Sequence, residues 1–102
     1  YTTQINLILL QAMEALCALH SQNICHRNIK AENWKVCQNP SIDIFLASFD
    51  YSERTEGDDS SLSGVMGTRL CMAPEIIGGQ RYGKKADVWA LGVMAFFLWS
   101  GG

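Results

Sequence analysis

The sequence predicts an α+β fold that is mainly helical. Residues 3–20 carry apolar side chains three and four positions apart, and residues 88–99 form an apolar run interrupted only by Gly92. Between them, two short runs rich in strand-forming residues flank a turn-forming tetrapeptide, which predicts a β-hairpin. The length of 102 residues suits one small domain at most.

The first element is predicted to be an amphipathic helix over residues 3–20. Its apolar side chains are Ile5, Ile8, Leu9, Ala12, Met13, Leu16, Cys17 and Leu19. Gln4, Gln11 and Glu14 fall on another face, which we expect to be polar and solvent-exposed. The polar residues 20–23 that follow are typical of a turn.

The middle of the chain is predicted to alternate loops and short strands. Residues 24–33 mix charged and apolar side chains without a period, so we expect a loop that could carry chemistry. Residues 34–36 and 42–47 are predicted strands, with the turn at residues 38–41. The polar stretch 51–64 has no hydrophobic period and predicts a long irregular loop.

The last third of the chain is predicted to hold two helices. Residues 73–77 suggest a short helix that Gly78 and Gly79 end, and residues 84–87 lead into the final helix. A membrane-spanning helix needs about 20 apolar residues. Because the run 88–99 is shorter, we predict a helix buried on all sides in a soluble core.

Composition excludes several classes of function. Eight Lys and Arg against ten Asp and Glu give a net charge of −2, so a nucleic-acid surface is not expected. The 48% apolar content is too high for intrinsic disorder. The cysteines lack metal-ligand spacing, so we expect buried, reduced thiols of an intracellular protein. They are Cys17, Cys25, Cys37 and Cys71.

Residues 26–33, H-R-N-I-K-A-E-N, resemble the catalytic loop of protein kinases, H-R-D-L-x-x-x-N. Further motifs follow in that family's order: Gly67-Thr68, then A-P-E at residues 73–75, then D-V-W-A-L-G at residues 87–92. Their shared order and spacing identify the chain as a member of the family over essentially its whole length. Within it, Lys30 and the Gly67-Thr68 pair favour the Ser/Thr branch.

The resemblance implies that residues 1–102 are part of the large, C-terminal lobe of a kinase domain. The part would run from the helix before the catalytic loop to the central buried helix. The small lobe, with its Gly-rich loop and strand lysine, and the last helices are expected to be absent from this stretch. We therefore expect the stretch alone to be inactive, to bind no ATP or Mg²⁺, and to be marginally stable.

The resemblance also assigns catalytic roles. In the family, the Asp of H-R-D accepts the proton of the substrate hydroxyl, and Asn28 stands in its place. An amide has no useful basicity near neutral pH, although it can orient a hydroxyl by a hydrogen bond. Loss of a positioned base typically costs about 10²–10⁴ in rate. Lys30 is the accompanying lysine, and Thr68 is expected to bond both Asn28 and Lys30.

The family's D-F-G motif, whose Asp holds Mg²⁺, has no exact counterpart, and three registers compete. The favoured one places Ser48-Phe49-Asp50 there. Asp43-Ile44-Phe45 keeps the acid, but only nine residues separate it from Asn33. Residues 46–48 also lack the acid. In the favoured register a neutral hydroxyl, Ser48, replaces the carboxylate and Asn33 remains as the other metal ligand, so Mg²⁺–ATP is expected to bind poorly.

The other matched positions are structural or regulatory in the family. His26 and Phe49 resemble members of an apolar column that ties the two lobes. Asp87 resembles a buried Asp that accepts N–H bonds from the catalytic loop, and Glu75 a buried carboxylate that pairs with a later arginine. Arg27 resembles the arginine that receives an activation-loop phosphate. The candidate phosphorylation sites are Thr55, Ser60, Ser61 and Ser63, and Asp58 and Asp59 could supply negative charge instead.

Two functions follow from the resemblance. The favoured one is a pseudokinase, a cytoplasmic binding or scaffold module that engages protein partners but no nucleic acid or membrane. The alternative is an atypical but active ATP-dependent Ser/Thr kinase acting on protein substrates, in which Asn28 orients the hydroxyl and Asp43 or Asp50 holds the metal. A truncated product without independent function is a third possibility. Loss of both acids favours the pseudokinase.

Overall fold

A long helix at each end of the chain frames two small sheets and one short helix. The computed structural model describes residues 2–38, 42–55, 62–64 and 71–100. The elements are α1 (Thr2–Ser21), β1 (Ile24–Cys25), β2 (Trp34–Cys37), β3 (Asp43–Leu46), β4 (Glu53–Arg54), α2 (Pro74–Ile77) and α3 (Lys85–Ser100), with single 3₁₀ turns at Ala31–Asn33 and Phe49–Tyr51. The prediction of a mixed, mainly helical fold is confirmed.

The predicted hairpin forms between β2 and β3. The strands pair antiparallel, from Trp34 opposite Leu46 to Cys37 opposite Asp43. Each strand border lies within one residue of the prediction, while residues 39–41 of the predicted turn lie outside the described residues. Strand-forming residues and turn chemistry therefore sufficed to place this hairpin.

The prediction of an irregular loop over residues 51–64 is wrong in two places. Strand β4 pairs antiparallel with β1, with Cys25 opposite Glu53. Leu62 forms an isolated bridge with Tyr82, and the two exchange N–H···O bonds of 2.9 and 2.8 Å. Two-residue strands and single bridges are too short to carry a hydrophobic period, so these long-range pairings leave no local pattern.

Two apolar clusters hold the loop between β1 and β2 in place. One lies between α1, β3 and α3 and consists of Ala12, Leu16, Ile29, Ile44, Ala90, Leu91 and Met94. The other joins β1 to α2 and the start of α3 and consists of Cys25, Leu62, Met72, Ala73, Ile76, Tyr82 and Ala86. Because Cys25 and Ile29 are buried in different clusters, the backbone of residues 26–28 is fixed between them.

Helix α3 is not buried on all sides, which corrects the prediction for its apolar run. One face packs inward through Ala86, Asp87, Ala90, Leu91 and Met94. The opposite face leaves Val88, Trp89, Phe96, Phe97 and Trp99 between 41% and 69% exposed. The apolar run predicts burial on every side of the helix, but the described elements cover only one side. No helix in the described part of the chain is both long and apolar enough to cross a membrane.

The cysteines are free thiols, but only some of them are buried. Cys25 is fully buried and Cys71 is partly buried, whereas Cys17 and Cys37 are exposed. The expectation of buried thiols is therefore wrong for Cys17 and Cys37. Cys37 ends the hairpin strand β2, and Cys17 lies on a side of α1 that the described elements leave open.

Gln11 fastens the hairpin to α1, so its expected place on a solvent-exposed face is wrong. Its Nε2 donates to the carbonyl of Ile42 at 2.6 Å, and its Oε1 accepts from the backbone N–H of Ile44 at 2.9 Å. Gln4 and Glu14 are exposed as predicted. The helical pattern could not separate Gln11 from them because its partners lie on a distant strand.

Replacing Gln11 by alanine is expected to lower the free energy of unfolding by about 2 kcal/mol, because two backbone groups at the start of β3 lose their partners. Urea denaturation measures this change. The matched control is Gln4→Ala on the exposed face of the same helix, for which we expect a change within about 0.5 kcal/mol. Equal losses in the two variants would contradict the role of Gln11.

Candidate functional site

A buried carboxylate anchors the start of the loop. Asp87 lies in the first turn of α3, and its side chain is 1% exposed. Its Oδ2 accepts from the backbone N–H of His26 at 2.7 Å, and its Oδ1 from that of Arg27 at 2.9 Å. The Nε2 of His20, at the end of α1, lies 2.9 Å from Oδ2. These partners compensate for the burial of the carboxylate and hold the loop backbone against α3.

His26 connects the loop to the segment that follows β3. Its Nδ1 accepts the backbone N–H of Asn28 at 3.1 Å, and its Nε2 lies 2.9 Å from the carbonyl oxygen of Ala47. With Nδ1 accepting, the neutral ring carries its proton on Nε2 and donates it to Ala47. The ring also packs edge-on against Phe49, with centroids 5.0 Å apart. His26 thus holds both neighbours of Ser48.

Hydrogen bonds connect Asn33 to Asn28 and to the residue that precedes Ser48. The side-chain Nδ2 of Asn33 donates to the backbone carbonyl of Asn28 at 2.6 Å. The backbone carbonyl of Asn33 accepts the N–H of Ala47, the residue before Ser48, at 2.8 Å. The side-chain oxygen Oδ1 of Asn28 is buried and has no hydrogen-bond partner among the residues that the structure describes. An orphaned buried acceptor of this kind costs about 1–3 kcal/mol.

The two candidate acids of the D-F-G registers lie in different places. Asp43 pairs with Cys37 at the far end of the hairpin, about 13 Å along the strand from Ala47. Asp50 is exposed in the 3₁₀ turn that follows Ser48. Ser48 itself has left-handed backbone angles, φ 60° and ψ 62°, which are uncommon for a residue other than glycine. Ser48, rather than Asp43, lies next to Asn33.

The side chains of Asn28, Asn33 and Ser48 do not fit Mg²⁺. Asn28 and Asn33 contribute amide oxygens and Ser48 a hydroxyl, all of them neutral, whereas Mg²⁺ is bound in proteins through one or two carboxylates. Within residues 2–38, 42–55, 62–64 and 71–100, no group of three or more His, Cys, Asp or Glu side chains is placed to hold a metal ion. No step through a bound metal follows from this set.

Lys30 lies within the loop and Glu75 lies in helix α2, away from the loop in sequence. The carbonyl of Lys30 accepts the N–H of Asn33 at 3.0 Å. Thr68 and its neighbour Gly67 lie outside the described residues, so the expected bonds from Thr68 stay a prediction. Glu75 is partly exposed, so its expected burial is wrong.

Arg27 is surrounded by acceptors from other parts of the chain. Its φ of 70° is left-handed, and its side chain is 6% exposed. The guanidinium group pairs with the carboxylate of Glu53 at 2.8 Å and contacts the phenol oxygen of Tyr82 at 3.2 Å. Sequence reasoning missed Glu53 and Tyr82 because each meets Arg27 only through the long-range pairings of β4 and Leu62.

The structure separates the candidate phosphorylation sites. Thr55 is 4% exposed, and its hydroxyl donates to the carbonyl of Asn23 at 3.2 Å, so its selection as an accessible site is wrong. Ser63 is exposed. The remaining candidates lie outside the described residues: Ser60 and Ser61, and with them Asp58 and Asp59.

The two thiols nearest the loop are held in their protonated form. Burial, reinforced by the neighbouring Asp87 carboxylate, raises the pKa of Cys25 well above its usual range. Burial and the carboxylate of Glu32 also raise the pKa of Cys71. Because the thiolate is the reactive form, neither cysteine supplies a nucleophile at neutral pH.

Comparison with known proteins agrees with the loop geometry. A family model for the protein kinase domain matches residues 2–102. The chain belongs to the protein kinase family. The resemblance seen at residues 26–33, including the Ser/Thr type, is thereby confirmed.

Relatives of this kinase-domain segment include serine/threonine kinases of several organisms. It is 44% identical over 93 residues to serine/threonine-protein kinase pakG of Dictyostelium discoideum, covering 90% of the segment and 8% of that protein. It is 34% identical over 98 residues to mouse serine/threonine-protein kinase PAK 1, covering 96% and 18%. It is 38% identical over 95 residues to the CaM kinase-like vesicle-associated protein of Danio rerio, covering 92% and 21%. The chain thus spans only a small part of each relative.

Proposed function

We propose that this segment belongs to a catalytically impaired kinase domain, a pseudokinase that acts by binding protein partners in the cytoplasm. It would form the part of the large lobe that carries the catalytic loop, with the small lobe elsewhere in the protein. One observation carries the proposal: hydrogen bonds link Asn33 to Asn28 and to the residue before Ser48, and the side chains of Asn28, Asn33 and Ser48 are all neutral.

Asn28 stands where the family resemblance calls for a general base. An amide oxygen can accept a hydrogen bond from a substrate hydroxyl but cannot take up its proton near neutral pH. The Oδ1 of Asn28 is moreover buried, so a hydroxyl has to displace neighbouring atoms to reach it. The loop is therefore expected to position a substrate poorly and to deprotonate it even less well.

Ser48 is proposed to stand where the family resemblance calls for the metal-binding Asp. Two contacts of His26 support this register: Nε2 with the carbonyl of Ala47, and the ring with Phe49. A hydroxyl offers Mg²⁺ no negative charge, so the nucleotide phosphates would keep their repulsion at this position. With Asn28 and Ser48 at these two positions, both acids on which phosphoryl transfer depends are missing.

The features that support a scaffold role are those that keep the loop rigid without catalysis. Asp87 binds two consecutive backbone N–H groups of the loop, and Gln11 binds the hairpin. Such contacts maintain a defined surface whether or not a nucleotide is bound. Proteins, rather than nucleic acid, are the expected partners because the chain has no excess of positive charge.

An atypical active kinase is the second candidate, and one observation favours it. Asp50 is exposed in the turn directly after Ser48 and Phe49, so a carboxylate is at least near the expected metal position. In this alternative Asn28 orients the substrate hydroxyl, and Asp50 supplies the negative charge that Ser48 lacks.

A transfer assay on the intact protein distinguishes the two candidates. With labelled ATP, Mg²⁺ and a generic Ser/Thr substrate, we expect the same incorporation for the wild-type protein and for an Asn28→Ala variant. Equal incorporation means that Asn28 takes no part in transfer, as the pseudokinase proposal expects. A clear fall in the variant would show that Asn28 takes part in transfer and would favour the active kinase.

A further inference from the structure

Every nitrogen of the Arg27 guanidinium group contacts an oxygen atom of this chain. Nε donates to the carbonyl of Tyr51 at 2.7 Å, and Nη2 pairs with Oε2 of Glu53 at 2.8 Å. Nη1 lies within 3.3 Å of the carbonyl of Ser63 and 3.2 Å of the phenol oxygen of Tyr82. Each nitrogen of the planar group thus has an acceptor, as expected for an almost buried arginine.

These acceptors come from both described parts of the stretch after β3. Tyr51 and Glu53 lie in residues 49–55, and Ser63 lies in residues 62–64. The phenol of Tyr82 donates in turn to the carbonyl of Gly64 at 2.8 Å, which binds the second part again. Arg27 is therefore the point at which both parts are attached to the loop.

We infer that the carboxylate of Glu53 fastens this stretch to Arg27 without any phosphoryl group. Glu53 supplies the negative charge paired with the guanidinium group, and the other contacts of Arg27 with described residues are with neutral oxygens. The four contacts with described residues leave at most one of the five N–H groups of Arg27, so a two-point contact with a phosphoryl group would displace Glu53 or a carbonyl. The inference is independent of the proposed function, because it concerns attachment and not catalysis.

The two described hydroxyl candidates agree with this assignment. The hydroxyl of Thr55 is buried and bonded to the carbonyl of Asn23, so a phosphoryl group there would break the β1–β4 corner. Ser63 approaches Arg27 through its backbone carbonyl, which needs no modification of the side chain. The attachment through Glu53 therefore uses an unmodified side chain of the sequence and needs no phosphorylation.

Hydrogen exchange of the intact protein tests the assignment. We expect Glu53→Gln to speed amide exchange at residues 51–55 by about 5–10-fold, because loss of the ion pair promotes local opening of β4. The matched control is Glu14→Gln, which removes an exposed carboxylate from α1 and should leave these amides unchanged. Exchange at wild-type rates in Glu53→Gln would overturn the inference.

Two measurements on the unaltered protein complete the test. Raising the salt concentration from 0.1 M to 1 M shortens the screening length from about 10 Å to about 3 Å and should speed the same amides, since Glu53 is 57% exposed. Phosphatase treatment should change nothing at residues 51–55. If phosphatase speeds their exchange, or if salt does not, the stretch is attached in another way. These measurements also decide the case if Glu53→Gln loosens the whole fold.

Discussion

Replacing Asn28 and Ser48 together by aspartate is expected to raise phosphate transfer by about 10²–10⁴-fold over the wild-type protein. Asn28→Asp supplies a group that can accept the substrate proton. Ser48→Asp supplies an anionic oxygen next to Asn33, where the gathered donors are otherwise neutral. Asn28→Asp keeps the size of the side chain, Ser48→Asp enlarges a side chain that is exposed, and neither change removes a group that bonds Asp87 or His26.

The single variants and a matched control make this prediction specific. Each single change leaves one acid missing, so each should give a smaller gain than the pair. Asn23→Asp introduces the same chemistry at an exposed turn, where Asn23 Oδ1 accepts from Lys84, and should leave transfer at the wild-type level. A folded double variant with no gain over Asn23→Asp would contradict the assignment of Asn28 and Ser48.

Removing the carboxylate of Asp87 is expected to have the largest effect on stability. Asp87→Ala leaves the backbone N–H groups of His26 and Arg27 buried without an acceptor and His20 without its partner. Losing one member of a buried, hydrogen-bonded charged group typically costs about 3–5 kcal/mol. Asp87→Asn keeps one acceptor oxygen, but its amide N–H group faces one of the two backbone N–H donors. We therefore expect the free energy of unfolding to fall by about 2–3 kcal/mol.

Urea denaturation of the intact protein measures both changes as shifts in midpoint at constant slope. Asp43→Ala is the matched control, because Asp43 is an exposed carboxylate on strand β3. We expect it to change the free energy of unfolding by no more than about 0.5 kcal/mol. If Asp87→Asn costs no more than Asp43→Ala, Asp87 does not anchor the loop.

The elements that sequence reasoning located are those with a local pattern. Helix α1 repeats apolar residues every three to four positions over twenty residues, and the hairpin has two strand-forming runs around a turn. Strands β1 and β4 contain two residues each, so no period could reveal them. The exposure of Trp89 and Phe96 on α3 depends on which elements are present to cover them, which the run itself does not encode.

The residues of the candidate site also fall into those with a local sequence pattern and those without one. Asn28 and Asn33 lie in one short motif, so their spacing alone indicated a shared role before any geometry was known. The pairing of Arg27 with Glu53 and the burial of Thr55 arise from the contact of β1 with β4. Such contacts join distant stretches of the chain and depend on tertiary packing, for which a single sequence holds no local sign.

The most direct test of the impaired metal position is the melting temperature of the intact protein with ATP, in the presence of Mg²⁺ or of a chelator. A ligand that binds the native state raises the melting temperature by an amount that grows with the ratio of its concentration to its dissociation constant. We predict the same melting temperature with Mg²⁺ and with the chelator for the wild-type protein, and a Mg²⁺-dependent rise only in Ser48→Asp. A rise of several degrees in the wild-type protein that requires Mg²⁺ would contradict the pseudokinase assignment.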